Sequence, residues 1–269
     1  MPDFMPDLQS PTDGLLLVGH GTRDASGVEE MQTLAHRVAA LLPGVRVESC
    51  FLELAQPDIQ QGIERMHAGG VRQLTVMPLL LFAAGHAKRD IPRQLEEAQR
   101  RRPDLDVRLC PHFGCHAKIL ELSAIRYRQA IERFPPVEPA DTVLVMVGRG
   151  SREPSALAEM REFARRRGEL TPVSEVVTCF LAMAEPSLEQ TLGDLSAHAA
   201  RRIVVQPHLL FHGELLDRIR AEVAARAASQ PDKQWIIAPH LGPDRRVAET
   251  VIELSARPAP FPLAAEHAE

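Results

Sequence analysis

The chain is written twice. LLLVGHGTRD (Leu15–Asp24) returns as LVMVGRGSRE (Leu144–Glu153), ESCFLELAQPDI (Glu48–Ile59) as VTCFLAMAEPSL (Val177–Leu188), and LTVMPLLLF (Leu74–Phe82) as IVVQPHLLF (Ile203–Phe211). Cys179, Pro186, Pro207 and Phe211 each stand 129 positions after Cys50, Pro57, Pro78 and Phe82. Shared composition does not produce one offset without slippage, so the repeat is a duplicated domain. At 269 residues, each copy has the length of an ordinary domain.

Within a copy, short apolar runs alternate with longer amphipathic stretches. Leu15–Gly19, Val45–Leu52, Leu74–Met77 and Val107–Cys110 read as strands buried on both faces, the mark of a parallel sheet. Helical patterns fall near 25–42, 56–68, 88–101 and 116–133. The second copy places strands near 142–147, 173–181, 201–206 and 234–238. Each strand–helix–strand step has the length of a right-handed crossover, so each copy is predicted to be a doubly wound α/β domain. RFPPVEPAD (Arg133–Asp141) reads as a stiff, proline-rich linker between an N-terminal domain, 1–136, and a C-terminal domain, 137–269. Two such domains facing one another across a cleft is the expected architecture.

Composition closes off several classes of function. No apolar run approaches the roughly 20 residues of a membrane helix. The opening MPDFMPDLQSPTDG has neither the basic start nor the apolar stretch of a secretory leader. The four cysteines, at 50, 110, 115 and 179, form no disulfide framework, which points to a reducing cytoplasm. A net charge of −5 with dispersed Lys and Arg makes nucleic acid an unsuitable partner. G-x-x-x-x-G-K-[ST] does not occur, so ATP hydrolysis has no home.

Ligands of open parallel sheets bind beyond the carboxyl ends of the strands. Three polar residues of the first copy fall there: His20 between Gly19 and Gly21, Glu53 at the end of C-F-L-E, and His86 past the third strand. Two imidazoles and a carboxylate suit a borderline divalent ion such as Co²⁺, Ni²⁺, Fe²⁺ or Zn²⁺. Singly, each residue could serve only the fold. The duplication supplies a control, because the matching positions of the second copy hold Arg149, Ala182 and Leu215. Their joint replacement, beside scaffold residues that are kept, marks one functional set retained in one half. His112 and His240 occupy equivalent turns and read as structural, while His116 suits the cap of the helix that follows. His36 and His67 read as solvated, and His208 and His212 stay open as substrate contacts. A histidine phosphatase is excluded, because its motif needs Arg directly before the histidine and Gly19 stands there.

G-H-G-T-R-D, F-L-E-L-A-Q-P-D-I and P-L-L-L-F-A-A-G-H-A-K-R-D-I-P together resemble the sirohydrochlorin chelatases, the class II, ATP-independent cobaltochelatases and ferrochelatases of cobalamin and sirohaem synthesis. The resemblance covers nearly the whole chain and matches the family's long, duplicated form. It implies that His20 and His86 are catalytic, and that Glu53 joins them in holding the metal. Co²⁺, Fe²⁺ or Ni²⁺ would then be a substrate, inserted into an anionic tetrapyrrole; the covalent duplication itself suits a monomer, and the lack of a long apolar run leaves no membrane partner expected. The tail SARPAPFPLAAEHAE lacks the cysteine cluster of some relatives, so no iron–sulfur centre is expected. Sirohydrochlorin carries eight carboxylates, and Arg23, Lys88, Arg89, Arg149 and Arg152 are the candidates to pair with them. A non-catalytic bilobal carrier of metal or tetrapyrrole is the alternative.

Overall fold

A computed structural model describes Ser10 and residues 12–82 and 85–261, without the side chains of 85–88 and 260. It contains two parallel sheets. The first is ordered β2-β1-β3-β4, from β1 (Asp13–Gly19), β2 (Arg46–Phe51), β3 (Gln73–Pro78) and β4 (Asp106–Leu109). The second is ordered β6-β5-β7-β8, from β5 (Thr142–Gly148), β6 (Glu175–Phe180), β7 (Arg202–Pro207) and β8 (Gln234–Ile237). Strand order reverses between β1 and β3, and again between β5 and β7, as a doubly wound sheet requires. A short strand, β9 (Ala259–Pro260), adds antiparallel to β4. The tail gives no alternating pattern that would have marked it.

Eight helices are described: α1 (Ala25–Leu41), α2 (Ile59–Ala68), α3 (Gly85–Arg101), α4 (Ala117–Ile131), α5 (Pro154–Glu169), α6 (Leu188–Ser196), α7 (Glu214–Ser229) and α8 (Arg245–Ser255). Five of these starts, at α1, α2, α4, α6 and α8, are set by a side-chain cap. Asp24 accepts from the Gly27 amide at 3.1 Å. Asp58 with Gln61, and Ser187 with Gln190, form capping boxes at the same 129-residue offset. His116 caps α4 through Nδ1, as its position suggested. Buried Met31, Leu34 and Val38 give α1 its inward stripe. Among the described residues no helix is long and apolar enough to cross a membrane.

The central strands are buried on both faces, so side chains alternate between two layers. In the first sheet Leu16, Val18 and Val76 pack with Ile63 and Met66 of α2 and Leu95 of α3. Each such buried side chain stabilises by about 1.5–3 kcal/mol.

The compact units are not the two sequence halves. One comprises residues 1–113 and 243–269, the other 114–242. Helix α4 follows β4 in sequence yet packs on α5, β7 and β8, while α8 packs on α1 and β3. Each half lends its last helix to the other unit, so the packing units differ from the two sequence repeats expected on either side of residues 136 and 137. The 133–141 segment lies inside the second unit, where the Pro135 carbonyl accepts from Arg202 at 2.5 Å and from Gln234 at 3.2 Å. The chain passes between units at Gly114 and Gly242, both at positive φ (52° and 68°).

The seats of the two exchanged helices differ chemically. Under α4, Arg167 is fully buried. It donates to Ser123 Oγ at 3.1 Å, to the Ser123 carbonyl at 3.3 Å and to Thr171 Oγ1. Gln206 Nε2 donates to the same Ser123 carbonyl and Oγ at 2.6 and 2.9 Å. Burial pulls the guanidinium down to about 10, so it stays charged at neutral pH. The first unit has Val38, Leu42 and Met77 at the positions of Arg167, Thr171 and Gln206, all buried. Val251 of α8, as far beyond His240 as Ser123 is beyond His112, is buried too. Ser123→Ala removes an acceptor from a buried cation and is expected to cost about 1–3 kcal/mol. Urea unfolding measures it, and a loss within error would show the network to be dispensable.

Candidate functional site

The site of the first unit is built from two loops that run side by side. Pairing of β1 with β2 extends past the strands: Leu52 N–H donates to the Gly19 carbonyl at 2.9 Å, and Glu53 N–H to the His20 carbonyl at 3.0 Å. Adjacent backbones bring their side chains together, and His20 Nε2 lies 3.3 Å from Glu53 Oε1. These side chains are 31% and 55% exposed, so an incoming ion can reach both. Two donors bound to one ion with bonds near 2.0–2.1 Å are separated by roughly 3.0–3.4 Å. The observed spacing fits two donors to one ion and equally an ordinary imidazole–carboxylate contact.

Gly21 makes this approach possible. Its φ is +103°, and a Cβ there would lie 1.7 Å from the Glu53 carbonyl oxygen. Gly150 repeats the arrangement, with φ +90° and 1.8 Å to the Ala182 carbonyl. The turn is common to both copies, but the histidine–glutamate pair belongs only to the first, Arg149 and Ala182 standing at the matching positions.

His86 is the second residue of α3, which starts earlier than its sequence pattern indicated. It therefore follows β3 across the switch point from His20. The side chains of His86 and Lys88 lie outside the described residues. Arg23, on the β1–α1 loop, and Arg89, in the first turns of α3, are exposed. Arg149 and Arg152 are exposed on the β5–α5 loop of the second unit.

The remaining histidines divide clearly. His208 is 3% exposed, its ring 4.0 Å from that of Phe163, and burial pushes its imidazole down to about 3. It is a neutral core residue. His212 Nε2 lies 3.3 Å from Asp217 and 2.9 Å from Arg220, within its own unit. His67, expected to be solvated, instead pairs with Asp104 at 2.8 Å and holds that carboxyl below its usual range. All four thiols are free, and burial pushes Cys110 and Cys179 up to about 12, which makes them inert.

One feature of the loop was not read from the sequence. Leu54, directly after Glu53, has φ +65°, and the Ala55 amide donates back to the Glu53 carbonyl at 2.8 Å. Such a three-residue turn is strained, and a left-handed non-glycine residue costs roughly 1–2 kcal/mol. Met183, 129 residues later, has φ +60°. The signal was present in F-L-E-L against F-L-A-M, where a large apolar residue recurs beyond the changed carboxylate.

The CbiX family model matches this chain twice, over residues 14–130 and 143–257. A sirohydrochlorin ferrochelatase from Priestia megaterium is 32% identical over 231 residues, 86% of this chain and 84% of that protein. A sirohydrochlorin cobaltochelatase from the same organism is 29% identical, over 85% of this chain and 74% of its own. The structure of SirB from Bacillus subtilis with Fe3+ superposes with a TM-score of 0.79 at 27% identity, covering 90% of this chain and 94% of that one. With the family model matched in both copies and a ferrochelatase aligned along most of its length, the chain belongs to the CbiX family of sirohydrochlorin chelatases, in its duplicated form.

Proposed function

We propose that this protein inserts a divalent metal ion, Co²⁺ or Fe²⁺, into sirohydrochlorin without ATP. The observation that carries the reading is the His20–Glu53 pair, held 3.3 Å apart at the carboxyl edge of a doubly wound sheet in a chain of this family. His20, His86 and Glu53 present the ion. Insertion exchanges two pyrrole protons for M²⁺, and neutral imidazoles at His20 and His86 accept protons near neutral pH. Glu53 offsets part of the metal's charge. Arg23, Lys88, Arg89, Arg149 and Arg152 pair with substrate carboxylates, where guanidinium geometry favours two-point contact. The C-terminal copy, with Arg149, Ala182 and Leu215 in place of the three donors, binds substrate and performs no chemistry. Four free thiols suit a reducing cytoplasm, and the covalent pairing of two copies suits a monomer.

The test is turnover. Metal-free sirohydrochlorin is mixed with Co²⁺, Fe²⁺ or Ni²⁺ and a catalytic amount of protein, and the absorbance shift of the macrocycle is followed. The expected result is many equivalents of metallated product per chain, with the fastest ion being the preferred substrate. A change that stops at one equivalent would make the protein a carrier and overturn the enzymatic reading.

A further inference from the structure

Leu54 is one of five exposed large apolar side chains among the described residues, and only it and Met183 combine that exposure with a positive φ. It is 51% exposed, it directly follows Glu53, and it sits at φ +65°. Folding explains none of this. An exposed leucine gains little from burial, and glycine would hold the same turn without a steric penalty, while asparagine would hold it at a smaller one. Strained residues persist where the surroundings over-determine them, and they cluster at ligand sites.

The second copy separates two explanations. If the strained turn served only to aim the carboxylate of Glu53, it would be idle where that carboxylate has become Ala182. Yet Met183 keeps the left-handed conformation, and it is 53% exposed. What the two turns share is a large, flexible, apolar side chain held into solvent beside the first loop of the sheet. A flat macrocycle with a charged rim and an apolar face has use for such a surface.

We propose that Leu54 is a substrate-binding residue, whose side chain packs on the apolar face of the tetrapyrrole beside the His20–Glu53 pair. This rests on the chelatase reading and adds to it a contact that acts on the macrocycle and not on the metal. Its energetic source is apolar area removed from water, where the charged rim is met by the arginines.

The full-length chain is compared as wild type, Leu54→Asn and Leu54→Met. Asparagine keeps the left-handed turn with less strain and removes the apolar surface, while methionine restores what the second copy carries. Three quantities are measured: the affinity for metal-free sirohydrochlorin by absorbance titration, the affinity for Co²⁺ alone, and the thermal midpoint. Leu54→Asn is expected to weaken sirohydrochlorin binding roughly tenfold, with Co²⁺ affinity within about twofold and the midpoint not lowered. Leu54→Met is expected to bind sirohydrochlorin within about threefold of wild type. Wild-type sirohydrochlorin affinity in Leu54→Asn overturns the proposal, and so does a parallel loss of Co²⁺ affinity, which would mean that Leu54 only supports Glu53. Both of these leave the chelatase reading standing. A wild-type chain that binds no sirohydrochlorin overturns that reading itself, and this contact with it.

Discussion

His20→Ala is expected to lower the rate of metal insertion by roughly 10²–10⁴-fold while the chain stays folded. The imidazole is 31% exposed, so its removal is expected to leave the fold intact. What it leaves on the paired loops is Glu53, without the imidazole that lay 3.3 Å from its carboxylate. In the proposed assignment His20 is both metal donor and proton acceptor, so kcat is expected to fall together with Co²⁺ affinity. Insertion assays and a Co²⁺ titration on the purified variant, with circular dichroism to establish folding, measure all three. A folded His20→Ala chain that turns over at the wild-type rate would remove His20 from the chemistry and leave it a loop residue.

Gly21→Ala strikes the same site without touching a donor atom. A methyl group at φ +103°, 1.7 Å from the Glu53 carbonyl, cannot be accommodated unless one of the two loops moves. A displacement of about 1 Å in a catalytic arrangement costs on the order of 10²-fold in rate. Gly21→Ala is therefore expected to lose about that much activity and about 2 kcal/mol or more of stability. Gly150→Ala is the matched control, because it meets the same obstruction against the Ala182 carbonyl in a copy without metal donors. It is expected to lose similar stability while keeping the Co²⁺ affinity of the first unit. Equal loss of Co²⁺ affinity in both variants would mean that destabilisation alone explains the effect.

The sheet architecture was legible because its strands are buried on both faces, which leaves long apolar runs such as Leu15–Val18 and Val143–Val147. Helix starts were legible where a short polar side chain caps them, as at Asp58 and Ser187. His20 and Glu53 could be singled out because a second copy showed which polar residues the fold can do without. The pairing of helices with sheets was not legible. Helix α4 carries an ordinary apolar stripe, and the contacts that distinguish its seat, among Ser123, Arg167 and Gln206, meet only in three dimensions. The prolines at 135, 136 and 139 stiffen a connection, but they do not say that it stays within one unit. Leu54 escaped notice because exposure and left-handed backbone leave no mark on a hydrophobicity pattern.

The exchange of α4 and α8 separates what was inherited from what folds. Each repeat matched by the family model carries its own four strands and four helices, so by ancestry it is a whole domain. By packing it is not, since its last helix closes the sheet of its sibling. Severing the chain between the repeats would not release two miniature enzymes. It would yield a pair of interlocking pieces, each holding the other's missing part, with a serine-bearing helix and a valine-bearing helix serving as address labels. A charged arginine lies under one and hydrocarbon under the other, so the two seats are chemically distinct. Duplication ordinarily frees one copy to drift. Here the second copy stays tied to the first by packing, because discarding it would strip the first sheet of α8, which packs on α1 and β3.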